Sequence, residues 1–414
     1  MINPRELING ANLVWLFNIN QEQRWNDCAV FPSVTDVQKL ELVYQQEQLL
    51  LFIADERDTV FFCHKSDEQF LEYLREQGVR LPNIVQVPDL KLSENMASNF
   101  QNSILVPYIV SEETEELVHS IPEARIFGSH LDLVKRINNK FATRKMAITN
   151  GFNVTKGYFC TNAAELQNAY HSLRIAGFKK CILKIPYGSS GKGLKIIDGD
   201  KSFEVLQRFI LRRSKQFELL LEGWHPIGHN INCQLWVDKN RIEILAITEQ
   251  QIDENAVYQG TCFTPTYSTE ILEVYRNEMT RLGTILRKTG YRGICGVDSI
   301  IDSEGNLIPI IEVNARFTQV TYLLPIVQQL VPVYQHIVSN FVNFEIEKPV
   351  DFPAIYIRLQ EVLIKDKNTG FIVYTFAKYT LPNSMRTLYR LFILVFGNDN
   401  VKVQKNLEAL RNFK

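Results

Sequence analysis

A chain of 414 residues, 45% of them hydrophobic, is long enough for two or three domains with well-formed cores. Its 45 Lys and Arg against 46 Asp and Glu leave a net charge of -1, so no global field favours nucleic acid or an anionic membrane, and any phosphate recognition must be local. The seven cysteines are scattered and never spaced Cys-x-x-Cys, which predicts a reducing, cytoplasmic setting and plain buried thiols. No signal-peptide core is expected at the N-terminus, and the most apolar late run, residues 388–397, falls far short of the roughly 20 residues that span a bilayer.

In chain order, residues 1–127 carry apolar runs at 13–17, 49–53, 60–63 and 104–106, with helical stretches at 67–77 and 112–120. That is an α/β layer pattern, and without a glycine-rich fingerprint it disfavours a dinucleotide site. A single helix is expected over 131–149, ended by Gly151, then a strand over 154–160 and a helix over 163–175 ended by Gly177. A strand at 181–185 runs into a loop, and a helix near 203–211 precedes an apolar strand at 219–222. Strands at 231–237 and 242–247 follow, then a polar loop to about residue 269, a helix to about 290 and a β-hairpin. Residues 346–414 read as a small α+β unit. Cys262, in the polar loop, is the one cysteine kept as a nucleophile candidate; the polar stretch around it is expected to face an acceptor.

The loop Gly188, Ser189, Ser190, Gly191, Lys192 and Gly193 follows a strand directly, so its backbone N–H groups can approach phosphate oxygens without Cβ obstruction. It fails the Walker A pattern, and its glycines alone also fit a flexible turn. Lys184, among Ile182, Leu183 and Ile185, predicts an anionic partner because an unpaired buried ammonium is costly. With Lys140 it would offer two charges to a polyphosphate. Glu222 ends an apolar strand before Gly223, Trp224 and His225, a hinge position. In the hairpin, Glu312, Asn314 and Arg316 alternate on one strand and can converge on one ligand. If the turn is the three residues 304–306, Asp298 lies opposite Glu312, an arrangement of two carboxylates that suits a cation between them; a turn one residue longer or shorter would put Asp298 on the other face, and Pro309 argues against a wholly regular strand. A metal site from His225 and His229 is disfavoured by Pro226 and Gly228.

The order of these motifs resembles the ATP-grasp superfamily over residues 128–345. The resemblance implies an α+β ATP-grasp fold of two lobes clasping ATP, preceded by an α/β domain (1–127) and followed by a small α+β domain (346–414). Carried over residue by residue, it implies that Lys140 and Lys184 bind the ATP phosphates, that Gly188, Ser189, Ser190, Gly191 and Gly193 close over them, and that Glu222, Gly223, Trp224 and His225 hold the adenine. Asp298, Glu312 and Asn314 would hold Mg²⁺, with Mn²⁺ as an alternative. Arg316, with Lys184, would stabilise the transferred phosphoryl group. Two departures stand out: His229 and Asn230 replace the usual ribose-binding acid, and Gly296 stands where some members carry arginine. More loosely, both flanking regions are similar to a narrower group that includes the stand-alone peptide ligase of pheganomycin biosynthesis and the butirosin glutamate to carrier-protein ligase.

The implied activity is an ADP-forming carboxylate-amine ligase that makes an acyl phosphate and then an amide. The alternatives are loading of a carrier-protein thiol and a non-catalytic nucleotide-binding module. Expected partners are amino-acid or peptide substrates and, for a thiol acceptor, a carrier protein. A homodimer is compatible with this reading, and neither nucleic acid nor membrane is expected.

Overall fold

The computed structural model describes residues 1–10, 12–26, 30–31, 37–188, 193–253, 257–382 and 384–413. Three sheets follow one another along the chain. In the first, β1 (Leu13–Leu16), β2 (Thr59–Phe62), β3 (Asn83–Gln86), β4 (Ile104–Pro107) and β5 (Arg125–Ile126) are parallel and ordered β3-β2-β1-β4-β5. Both faces are covered, which is why β1 reads Leu-Val-Trp-Leu with all four residues buried. The crossover helices Glu68–Glu76 and Glu112–His119 start where Asp67 and Ser111 accept from backbone N–H groups in the first turn. In this strand order the connections leaving β1 and β4 diverge, opening a crevice at their carboxyl ends. Asn18 ties the two loops together, donating to the Ile109 carbonyl at 2.7 Å and accepting from the Ile109 N–H at 3.2 Å. Of the four apolar runs, 49–53 is helical rather than extended: the 3₁₀ turn Gln45–Leu49 continues into the buried helix Leu50–Ile53. A short, wholly apolar run fits either conformation.

The second sheet is antiparallel: β6 (Gly157–Cys160), β7 (Cys181–Lys184), β8 (Leu194–Ile197) and β9 (Leu219–Gly223), ordered β6-β9-β7-β8. The helices Ala163–Ile175 and Asp200–Arg213 cover it, burying Leu166, Leu173 and Ile210 against Leu183 and Leu219 in a core separate from the main one.

The third sheet contains β10 (Ile227–His229), β11 (Ile231–Val237), β12 (Ile242–Ile252), β13 (Tyr258–Cys262), β14 (Gly293–Asp302), β15 (Leu307–Asn314), β16 (His336–Ile346), β17 (Thr369–Thr380) and β18 (Thr387–Gly397). Its order is β10-β14-β11-β12-β13-β16-β18-β17, with β15 also on β14. The expected polar loop therefore carries strand at 248–252 and 258–262. It was hard to read because Gly260, where β13 meets β16, has no side chain to signal burial: a Cβ there would lie 2.1 Å from the Ser339 carbonyl oxygen. Cys262 ends β13, and burial pushes its thiol up, so it is not the activated thiolate that a nucleophile needs.

The expected helix over 131–149 is two helices, Leu131–Asn138 and Lys140–Thr149. Asn139 sits extended between them, and its side chain accepts from Phe141 N–H at 2.9 Å and Ala142 N–H at 3.0 Å, capping the second. The apolar spacing carries through the break, so periodicity alone does not show it.

Candidate active site

The break at Asn139 puts Lys140 in the first turn of a helix, facing the cavity. Its N–H donates to the Pro186 carbonyl at 2.9 Å, and its ammonium donates to the Gly188 carbonyl at 2.7 Å and the Glu312 carboxylate at 2.6 Å. One side chain thus joins helix, loop and β15. Gly193, at the loop's far end, has φ +84° and leaves no room for a Cβ beside Ile185. Ser189, Ser190, Gly191 and Lys192 lie outside the described residues.

Lys184 ends β7, and its Nζ lies 2.5 Å from Glu222 Oε2 on the neighbouring β9. This is the anionic partner that its apolar sequence setting demands. Glu222, 3% exposed, also accepts from Thr155 Oγ1 at 2.5 Å and forms an ion pair with Arg144. Burial alone would raise this carboxyl, but Lys184 and then Arg144 outweigh it and hold it below the usual carboxylate range. The sequence reading treated Glu222 as a hinge residue and missed Arg144, one turn after Lys140, whose only sequence signal is that spacing.

At the other end, Asp298 and Glu312 are directly opposite each other on β14 and β15. The expected pairing is right, but the turn is not the expected one. Ile301 pairs with Leu307, the turn closes by Asp302 N–H to the Asn306 carbonyl at 3.0 Å, and extra residues around Pro309 restore the register. Ser299 staples this bulge, donating to the Pro309 carbonyl at 2.7 Å. Asp298 accepts from Asn232 at 2.7 Å, Gln250 at 2.8 Å and Asn314 at 3.1 Å. Burial, and next the Glu312 charge, push its carboxyl above the ordinary aspartate value. Gly296, on the neighbouring row, sits under Gln234 and Thr318; a Cβ would be 2.8 Å from Thr318 and 3.2 Å from Gln234, so arginine has no space there.

Arg316 lies just past β15. Its Nε donates to Glu22 at 2.6 Å, Nη1 to the Tyr108 hydroxyl at 2.7 Å and Nη2 to Asn314 Oδ1 at 2.8 Å. Glu22 follows β1 and Tyr108 follows β4, so the crevice of the parallel sheet grips the guanidinium. Neither partner was legible in the sequence, because both lie some 200 or more residues away.

All these elements border one cavity of about 1030 Å³. Lys140, Lys184, Glu222, Gly223, Trp224, His225, Asn230, Asp298, Glu312, Asn314 and Arg316 line it; Gly188 and Gly193 do not. His229, outside it, pairs with Glu249 at 2.8 Å. The volume sits at the upper end of the ~300–1,000 Å³ usual for small-molecule sites, enough for more than one substrate.

Residues 137–320 match the ATP-grasp domain family. The chain is 41% identical over 404 residues to the [butirosin acyl-carrier protein]–L-glutamate ligase of Niallia circulans, an alignment covering 96% of this chain and 93% of the relative. The chain belongs to the ATP-grasp ligases. Solved structures agree on the fold. The ADP complex of an N5-carboxyaminoimidazole ribonucleotide synthetase superposes with a TM-score of 0.60 at 10% identity, covering 97% of this chain and 96% of the other. The Campylobacter jejuni biotin carboxylase complexed with a β,γ-ATP ligand gives 0.56 at 12% identity, covering 97% and 91%. This ATP-grasp ligase binds ATP, and among its described residues no helix is long and apolar enough to cross a membrane.

Proposed function

We propose that the chain phosphorylates a substrate carboxylate with ATP and passes the acyl group to a second substrate, releasing ADP and phosphate. The observation that carries this reading is that Lys140, Lys184, Arg316 and the facing Asp298–Glu312 carboxylates all line one cavity. Lys140 pairs with Glu312 and Lys184 with Glu222, and incoming phosphates would replace or share those partners. Arg316 is held in one orientation, so it can meet developing negative charge without reorganising.

The residues fit a divalent cation. Asp298 is raised by burial and by Glu312, an unfavourable facing pair that a cation relieves. Two carboxylates and an amide, all oxygen donors, suit Mg²⁺, which takes one or two carboxylates with phosphate oxygens and water. Asp298, Glu312 and Asn314 would hold it, with Mn²⁺ able to substitute. When bound there, the metal would supply charge neutralisation for the transferred phosphoryl group.

The relative's name supports L-glutamate as the activated acid and a carrier protein as a partner. An amine acceptor, giving an amide, and a carrier-protein thiol, giving a thioester, share the same first step. Hydroxylamine distinguishes activation from mere binding: hydroxamate, ADP and phosphate should form from L-glutamate, ATP and hydroxylamine in the presence of Mg²⁺ and without a carrier protein. Nucleotide binding with no ADP release across an amino-acid panel would refute the ligase reading. Dependence of the second step on a phosphopantetheinylated carrier separates the two acceptors.

A further inference from the structure

Resting on the reading above that Asp298 helps to hold a divalent cation, we propose that Gln234 is a positioning residue of that site: with Thr318 it fixes which end of the Asn232 amide faces Asp298. Gln234 and Asn232 are buried neighbours on β11, and both border the same cavity as Asp298.

Three side chains form one line of hydrogen bonds that ends on Asp298. Thr318 caps the helix Gln319–Leu330, and its hydroxyl oxygen accepts from the Thr321 N–H at 3.4 Å. Its hydroxyl proton goes to Gln234 Oε1 at 2.9 Å. Gln234 Nε2 then donates to Asn232 Oδ1 at 2.6 Å, and Asn232 Nδ2 donates to Asp298 Oδ1 at 2.7 Å. An amide can be turned end for end, and its partners decide which way it points. Here the polarity agrees from both ends, because an ionised Asp298 only accepts and the Thr318 hydroxyl, already accepting from Thr321, has a proton left to give. A second line arrives from the other side. Arg316 carries N–H donors only, so Asn314 turns Oδ1 to its Nη2 at 2.8 Å and Nδ2 to Asp298 Oδ2 at 3.1 Å. With Gln250 Nε2 at 2.8 Å, Asp298 Oδ1 accepts two N–H bonds and Oδ2 one, which holds the carboxylate in one rotation and leaves the larger acceptor capacity for a cation on Oδ2. With Asn232 turned round, its carbonyl oxygen would meet Oδ1 without a proton between them, and the carboxylate would rotate away.

The strand register makes room for this line. Asn232 lies directly opposite Asp298, and Gln234 directly opposite Gly296. A Cβ at Gly296 would lie 3.2 Å from Gln234 Nε2 and 2.8 Å from the Thr318 methyl group, the two residues at the outer end of the line. The glycine that stands where some ATP-grasp members carry arginine thus leaves its space to an uncharged relay.

The test titrates Mn²⁺ into protein held in excess over a non-hydrolysable ATP analogue, reading free Mn²⁺ by electron paramagnetic resonance. The Kd of the analogue at saturating Mg²⁺ is measured by calorimetry, and ADP release by steady-state assay. Gln234→Met keeps the volume and removes both hydrogen bonds, whereas Gly296→Ala displaces the amide without removing a polar atom. Each should raise the Mn²⁺ Kd about tenfold or more, the usual size of losing a group that orients a metal ligand. The analogue's Kd at saturating Mg²⁺ should stay within about threefold of wild type, which also shows that the variants are folded. Thr318→Val should match Gln234→Met, and Thr318→Ser, which keeps the hydroxyl, should bind Mn²⁺ within about threefold of wild type. A Mn²⁺ Kd unchanged within about twofold in Gln234→Met and Gly296→Ala, with ADP release by wild type intact, would overturn the relay and leave the ligase reading in place. Nucleotide affinity lost as heavily as Mn²⁺ affinity would mark the residues as merely structural and overturn it too. Weakened Mn²⁺ binding in the variants, with no ADP release from any of the proteins, would refute the ligase reading and keep the relay.

Discussion

Glu22→Gln removes the charge that holds Arg316. The pair is buried, with side chains 5% and 9% exposed and Nε 2.6 Å from the carboxylate. Leaving one buried ion without its partner costs about 3–5 kcal/mol, and because Tyr108 and Asn314 still accept from the guanidinium the lower figure applies here. About 3 kcal/mol corresponds to roughly a hundredfold in a local opening equilibrium. The segment after β15 reports it directly: Ala315 N–H donates to Asn138 at 3.0 Å, Arg316 N–H to the Asn314 carbonyl at 2.8 Å and Phe317 N–H to the Tyr108 carbonyl at 3.0 Å. Hydrogen exchange of these three amides should accelerate about a hundredfold in Glu22→Gln. Arg316→Ala should accelerate them comparably by stranding Glu22, and abolish turnover besides. The double variant should exchange no faster than either single one, since neither charge is then stranded. Acceleration below threefold, or additive effects, would refute the claim that Glu22 holds Arg316 in place.

Arg144→Ala should raise the KM for ATP by about tenfold, because Glu222 then draws Lys184 more fully and competes with phosphate; steady-state ADP release checks it, and an unchanged KM refutes it. Glu312→Gln should lose most turnover and regain part of it as Mg²⁺ is raised, whereas full activity at limiting Mg²⁺ would remove Glu312 from the metal set. Gly260→Ala should lower the thermal midpoint or prevent soluble expression, since overpacking backbone against backbone costs about 3 kcal/mol or more, and a midpoint within 1 °C of wild type would contradict the close β13–β16 approach, with that threshold on the order of measurement error.

The site was legible wherever chemistry and local spacing coincide. Lys184 announced a counter-ion through its apolar flanks, and the alternation of Glu312 and Asn314 announced a shared face. Asp298 was placed opposite Glu312 from a turn that the structure replaces with a different turn plus a bulge at Pro309. Two register changes cancelled, which turn chemistry alone does not predict. Asn139 caps the second helix, yet the helical period on either side masks the break it makes, so a single helix was expected there.

By itself the sequence determined most of the element types, though not those of 49–53, 248–252 and 258–262, and the order of the binding motifs and hence the ATP-grasp family, because propensity, turn residues and motif spacing act over a few residues at a time. Only the tertiary structure decided which charges meet. Arg144 and Lys184 converge on Glu222 by the pairing of β7 with β9, and Glu22 and Tyr108 reach Arg316 through the crevice of the parallel sheet. Those contacts span some 40 to 300 residues, and over such separations sheet order and layer packing, rather than local sequence, fix which side chains face each other.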